Sequence, residues 1–158
     1  MPAEQRAAPE SPFNVVGKFR DDIGLARAVF AFPARKRLDQ AEVQALLKTG
    51  KRLGRADFDC RFVRIDGQSD VADGKLAISV PKKLLKAAVA RNRIKRIVRE
   101  AYRQHALARS PISLMVNYKS RIDGRNATAR GQLRSQLVNL LDEAERRARR
   151  DAPSGSTN

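Results

Sequence analysis

Cysteine occurs once in the 158 residues, at Cys60, histidine once, at His105, and tryptophan not at all. A single cysteine excludes an internal disulfide and any zinc site built from cysteines, and a single histidine leaves no paired imidazoles for a metal and little material for Ser-His chemistry. Aromatics make up 5% of the chain, and no apolar run approaches the ~20 residues that a membrane-spanning helix needs. The opening residues, MPAEQRAAPESP, carry Glu4 and Glu10 among prolines without an apolar stretch. No secretory signal is expected there, and the cytoplasm is the expected compartment. Acid is scarcest of all relative to base: 17 Asp and Glu stand against 33 Lys and Arg, a formal net charge of +16. So uneven a charge makes a folded chain repel itself, and its natural complement is a polyanion, nucleic acid before an acidic membrane surface.

The length suits one compact domain. Residues 1–27 are rich in Ala, Pro and charge without periodicity and residues 151–158 are similarly featureless, so both read as disordered tails flanking a domain over 28–150. Within the domain, Asp39 can cap a helix, Glu42 stands where the acid of a capping box belongs, and Val43, Leu46 and Leu47 form an apolar stripe that stops at Gly50. Phe58, Cys60 and Phe62 alternate with Asp57, Asp59 and Arg61, the period of a half-buried strand. Leu76, Ile78 and Val80 alternate in a second strand, expected to pair back on the first through a loop over residues 66–74 and to end at Pro81. Residues 82–105 are predicted helical, 112–118 (ISLMVNY) a well-covered strand, and 128–150 a long helix buried along Leu133, Leu137, Leu140, Leu141 and Ala144. The order predicts an α+β domain, one sheet with helices packed on it.

The stretch KKLLKAAVARNRIKRIVREAYR carries the chemistry. Lys82, Lys83, Lys86, Arg91, Arg93, Lys95, Arg96, Arg99 and Arg103 are opposed only by Glu100. On a helix, Ala90, Ile94, Ile97 and Ala101 share one face and Asn92, Lys95, Arg96, Arg99 and Arg103 the opposite one, so one side enters a core and the other is a cationic ridge. Arginine forks match phosphate oxygens and lysine supplies point charge, while Asn92 can reach a phosphate, a 2′-hydroxyl or a base edge. An ordinary solvated face would mix signs for i,i+4 pairing. No convergent carboxylates accompany the ridge, so a protein-borne nuclease centre is not expected. Asp66, Asp70 and Asp73 share one loop, where turn chemistry accounts for them better than a metal does, and His105 closes the basic helix as a cation contacting RNA or solvent.

Arg91-Asn92-Arg93-Ile94-Lys95-Arg96, followed by Arg99-Glu100-Ala101-Tyr102-Arg103 and preceded by Val80-Pro81-Lys82-Lys83, closely resembles the signature of the bacterial ribonuclease P protein subunit. Phe32-Pro33, Arg37-Leu38, Gly50 and Phe58 match that family too, over residues 32–147. The resemblance implies a small α+β sandwich with a roughly four-stranded sheet and a left-handed βαβ crossover; three strands are read above, and the fourth is expected either near residues 51–55 or by splitting of the segment that follows. It implies a chain that binds the catalytic RNA and holds the 5′ leader of precursor tRNA between the first helix and the sheet. The RNA, with magnesium, would cleave the phosphodiester, so no catalytic residue, metal ligand or cofactor is expected on the chain, and no protein or membrane partner. The implied RNA contacts are Lys82, Lys83, Arg91, Asn92, Arg93, Lys95, Arg96, Arg99 and Arg103. The implied leader contacts are Phe32, Lys36, Val43, Leu47, Phe58 and Arg61, with Val43 and Leu47 standing where the family presents aromatics. Phe32 and Phe58 suit a plain core equally. A ribosomal or general RNA-binding module fits the composition as well, and only the extended signature separates the two. A DNA-reading helix lacks a second helix-turn-helix unit, and a membrane-surface helix lacks Trp or Phe anchors.

Overall fold

A computed structural model describes residues 32–65 and 74–151. The tails over 1–27 and 152–158, and Asp66, Asp70 and Asp73, lie outside the described residues. Two compact units divide the chain, 1–33 and 34–158. Of the first only Phe32 and Pro33 are described; the second holds every element below.

A 3₁₀ turn, Ala34–Lys36, precedes α1 (Gln40–Thr49). The expected capping box is present: Asp39 Oδ1 accepts from the Glu42 amide at 2.7 Å, and Glu42 Oε2 accepts from the Asp39 amide at 2.8 Å. Strands β1 (Lys51–Gly54), β2 (Phe58–Arg64) and β3 (Leu76–Ser79) follow, then α2 (Ala88–Gln104), a 3₁₀ turn (Ala106–Arg109), β4 (Ile112–Tyr118) and α3 (Ala127–Arg150). The fourth strand thus falls at the first of its two expected places, Lys51–Gly54, and the segment after it stays one strand.

The sheet order is β1-β2-β4-β3, with β3 parallel to β4 and the other pairs antiparallel. This corrects the expected β2–β3 hairpin: β4 inserts between them, and α2 carries the chain from β3 to its parallel neighbour. Alternation fixes which face a residue takes and is silent on its partner strand. The second correction concerns residues 82–87, which form a turn ahead of α2 and not its first turns.

One sheet face is the core. Leu53, Phe58, Cys60, Phe62, Leu76, Leu114, Val116 and Tyr118 are buried on it, and the Phe58 and Tyr118 rings lie 5.3 Å apart. α3 packs on β2 and β1 and against α2. The buried stripe of α2 is Ala90, Ile94, Val98, Ala101 and Tyr102, rotated slightly from expectation so that Ile97 is only half-buried. α1 lies on β2 and β4, on the face opposite this core, where Arg61 Nη1 donates to the Leu47 carbonyl at 3.0 Å. Among the described residues no helix is long and apolar enough to cross a membrane.

Candidate nucleic-acid interface

The outer face of α2 gathers a row of cations around a single acid. Asn92, Arg96 and Arg103 are exposed, Lys95 and Arg99 are partly so, and Lys82, Lys83 and Lys86 project from the preceding turn. Glu100, the one acid of the helix, is taken by Arg96 at 3.1 Å. Arg37 joins the ridge from outside the helix. Its segment lies along β3, bridging Leu76, and burial together with the Arg37 charge lowers the pKa of Arg99. Arg37 was invisible to helical spacing because a sheet-edge pairing brings it there.

The two arginines of the Arg91-Asn92-Arg93 triplet already have protein partners. Arg91 Nη1 donates to the Leu85 carbonyl at 2.9 Å and the Lys86 carbonyl at 2.6 Å, fastening the turn that carries Lys82, Lys83 and Lys86. Its Nε and Nη2 donors remain for a ligand, since a guanidinium has five N–H groups. Arg93 reaches the loop before α3, 3.8 Å from the Asp123 carboxylate. A sequence with so few acids gave no hint of this contact.

His105 is placed differently from expectation. Its side chain is 9% exposed, with Nε2 at 2.8 Å from Asp142 Oδ1 and Nδ1 accepting from the Leu107 amide at 3.1 Å. It ties α2 to α3 and does not face a ligand.

On the opposite sheet face, α1 leaves a groove edge. Leu46 is buried, Val43 half-buried and Leu47 36% exposed, so Val43 and Leu47 are within reach of a ligand on α1's flank. Arg61 lies on this face beside them. Lys36 is half-buried and donates to the Ala108 carbonyl at 2.9 Å. Two expected contacts are corrected: Phe58 is 0% and Phe32 6% exposed, so neither ring is presented for stacking. Phe58 shares the pleat of Cys60 and Phe62, which places it in the core. Across the open part of the face, Asp59, Asn117 and Ser79 stand in register on adjacent strands. Asp59 is gripped by Arg52 at 2.8 Å and Lys119 at 2.9 Å. Partial burial pushes its carboxyl up, and the hydrogen bonds and charges of Arg52 and Lys119 outweigh that, holding it below the usual carboxylate value.

Lys75 pairs with Glu42, so the capping acid of α1 also pins that helix beside β3. Cys60 is buried, and burial first, then the Asp59 charge, pushes its thiol up to about 12. It is inert as a nucleophile. Among the described residues no group of three or more His, Cys, Asp or Glu side chains could hold a metal ion.

Comparison with known proteins gives a consistent picture. The family model for ribonuclease P matches residues 32–145. The ribonuclease P protein component of Thioalkalivibrio sulfidiphilus is 33% identical over 104 residues, covering 65% of this chain and 83% of that protein. The solved RNase P protein of Staphylococcus aureus is 25% identical with a TM-score of 0.59, covering 70% of this chain and 95% of that one. That of Thermotoga maritima is 26% identical with a TM-score of 0.56, covering 68% and 96%.

Proposed function

The chain belongs to the ribonuclease P protein family, components of the ribonucleoprotein endoribonuclease that matures tRNA 5′ ends, and from that premise we propose how its two faces divide the work. The ridge of α2 binds the catalytic RNA of the holoenzyme. The groove between α1 and the open sheet face holds the 5′ leader of precursor tRNA. Phosphodiester cleavage belongs to the RNA with its magnesium, the division of labour that membership of this family implies.

The observation that carries this reading is the crowding of Lys95, Arg96 and Arg99 along one face of α2, a helix whose single acid is already taken. Phosphates resolve that crowding, and in doing so the protein relieves RNA self-repulsion that magnesium must otherwise screen. Val43, Leu47 and Arg61, with Lys36 nearby, serve the leader. Arg52, Lys119 and Arg61 give that groove a positive bias around Asp59, suited to a single strand's backbone.

Reconstitution with a bacterial ribonuclease P RNA tests this. At magnesium too low for the RNA alone, adding the protein restores cleavage of precursor tRNA, and the protein by itself cleaves nothing. Failure to restore cleavage, or cleavage by protein freed of RNA, overturns the assignment.

A further inference from the structure

α3 is charged along its whole length, yet its two halves treat that charge differently. In the C-terminal half each arginine with a close contact has an acid: Arg146 and Arg147 pair with Glu143, and Arg149 pairs with Glu145. In the N-terminal half and the loop before it, Arg121 and Arg130 are exposed and meet no acid among the described residues. Arg134 meets only the neutral amide of Gln104. Arg125, 3.4 Å from Asp123, shares that one carboxylate with Arg93. Neither α2 nor α3 has an acid in its first turn.

This half of α3 is contiguous with the α2 ridge. Arg93 meets Asp123, Gln104 meets Arg134 and His105 meets Asp142, so the helices run side by side in the same direction with both N-termini at one end. The helix dipoles therefore add to the side-chain charge there. Between the arginines the surface is flat: Ala127, Gly131 and Ser135 recur at one-turn intervals, all exposed. A Cβ on Gly131 would meet nothing within 4 Å, so internal packing does not require glycine here, and a glycine inside a helix weakens it. What a missing side chain allows is close approach of another backbone.

We propose that the N-terminal half of α3, with the loop before it, is a second RNA-binding surface. The phosphate backbone of the catalytic RNA lies along the Ala127–Gly131–Ser135 track, neutralised by Arg121, Arg130 and Arg134. This rests on the assignment of α2 to that RNA and extends its footprint across a second helix. The catalytic RNA, and not the leader, is the occupant because α3 lies on the sheet face away from α1.

The test uses the full chain and a bacterial ribonuclease P RNA without tRNA. Each phosphate contact contributes roughly 0.7–0.9 to the slope of log affinity against log salt. The R121A/R130A double variant should therefore lose about tenfold less affinity than the parent between roughly 50 and 200 mM salt. R146A/R150A removes the same charge from the other half and should keep the parent slope. Equal flattening in both would mean a general charge effect, and no change in R121A/R130A would mean that no RNA lies there; either overturns the proposal. Gly131→Leu supplies a readout without charge: thermal melting should hold or rise, while affinity for the RNA falls at least severalfold. Unchanged affinity, or an effect that needs precursor tRNA, overturns it too. Loss of the salt slope in R96A/R99A, measured in parallel, reports on the α2 assignment independently.

Discussion

At the scale of single residues, the groove depends on side chains whose environments can be tested one at a time. Asp59 has a folded-state pKa below its ordinary value, so its pairs with Arg52 and Lys119 contribute stability above the usual carboxylate range. That contribution is lost as pH falls through the lowered value. Asp59→Asn should cost no more than about 1 kcal/mol at neutral pH, since partly exposed pairs are worth little, and its melting temperature should converge on the parent's as pH drops toward 3. A gap that persists in acid would mean that the carboxylate charge is not what matters. Leu47 is 36% exposed beside Arg61, so Leu47→Phe adds a ring without overpacking the core. Stacking on one base is worth ~1–3 kcal/mol, and the ratio of affinities for leader-bearing over leaderless tRNA should rise about fivefold or more at the lower bound. An unchanged ratio removes Leu47 from the leader path. Cys60 shows what alternation could reveal: its place between Phe58 and Phe62 on one pleat marks all three as core, and the same pattern rules out Phe58 as a stacking platform. Arg37 shows what it could not reveal, because only a pairing with distant Leu76 sets it beside Arg99.

At the scale of elements, local chemistry was legible and partner choice was not. The capping box of α1, the stop at Gly50, the extent of β4 and the buried leucines of α3 all follow from spacing within the element itself. The order β1-β2-β4-β3 does not, since a four-residue strand alternates identically against either neighbour. The start of α2 is hidden in the sequence because Lys82–Lys83 continues the basic pattern across a turn that Arg91 fastens through the Leu85 and Lys86 carbonyls. His105 escapes spacing for another reason: nothing local announces Asp142 on another helix. Two substitutions separate these levels. Asp39→Ala removes the cap and should cost ~1 kcal/mol; it also loosens the first turn of α1, so leader affinity should fall while affinity for the catalytic RNA holds. His105→Ala leaves the Leu107 amide without its acceptor and breaks the α2–α3 tie, a loss of ~1–3 kcal/mol with leader discrimination intact. A leader defect in the histidine variant would show that the two sheet faces are coupled.

At the scale of the whole molecule, a net charge of +16 is both the means of binding and a cost to the fold. Salt should therefore act on the two in opposite directions. The free chain repels itself, and shortening the Debye length from ~10 Å at 0.1 M to ~3 Å at 1 M weakens that repulsion. Its melting temperature should climb with added salt. Association with the catalytic RNA releases counterions, and if the α2 ridge neutralises about five phosphates, affinity should drop by roughly a few hundredfold between 50 and 200 mM. Bound RNA also stabilises the folded chain by mass action, so the melting temperature of the complex should fall with salt until it meets the rising curve of the free protein. The two curves distinguish a charge kept for RNA from one kept for internal pairing. Where arginines already have acids, as along the C-terminal half of α3, screening removes attraction as well as repulsion and the free chain gains little. A free-chain melting temperature that falls as salt is added would place most of the arginines in internal pairs, and the ridge of α2 would then be too small a share of the charge to hold a polyanion.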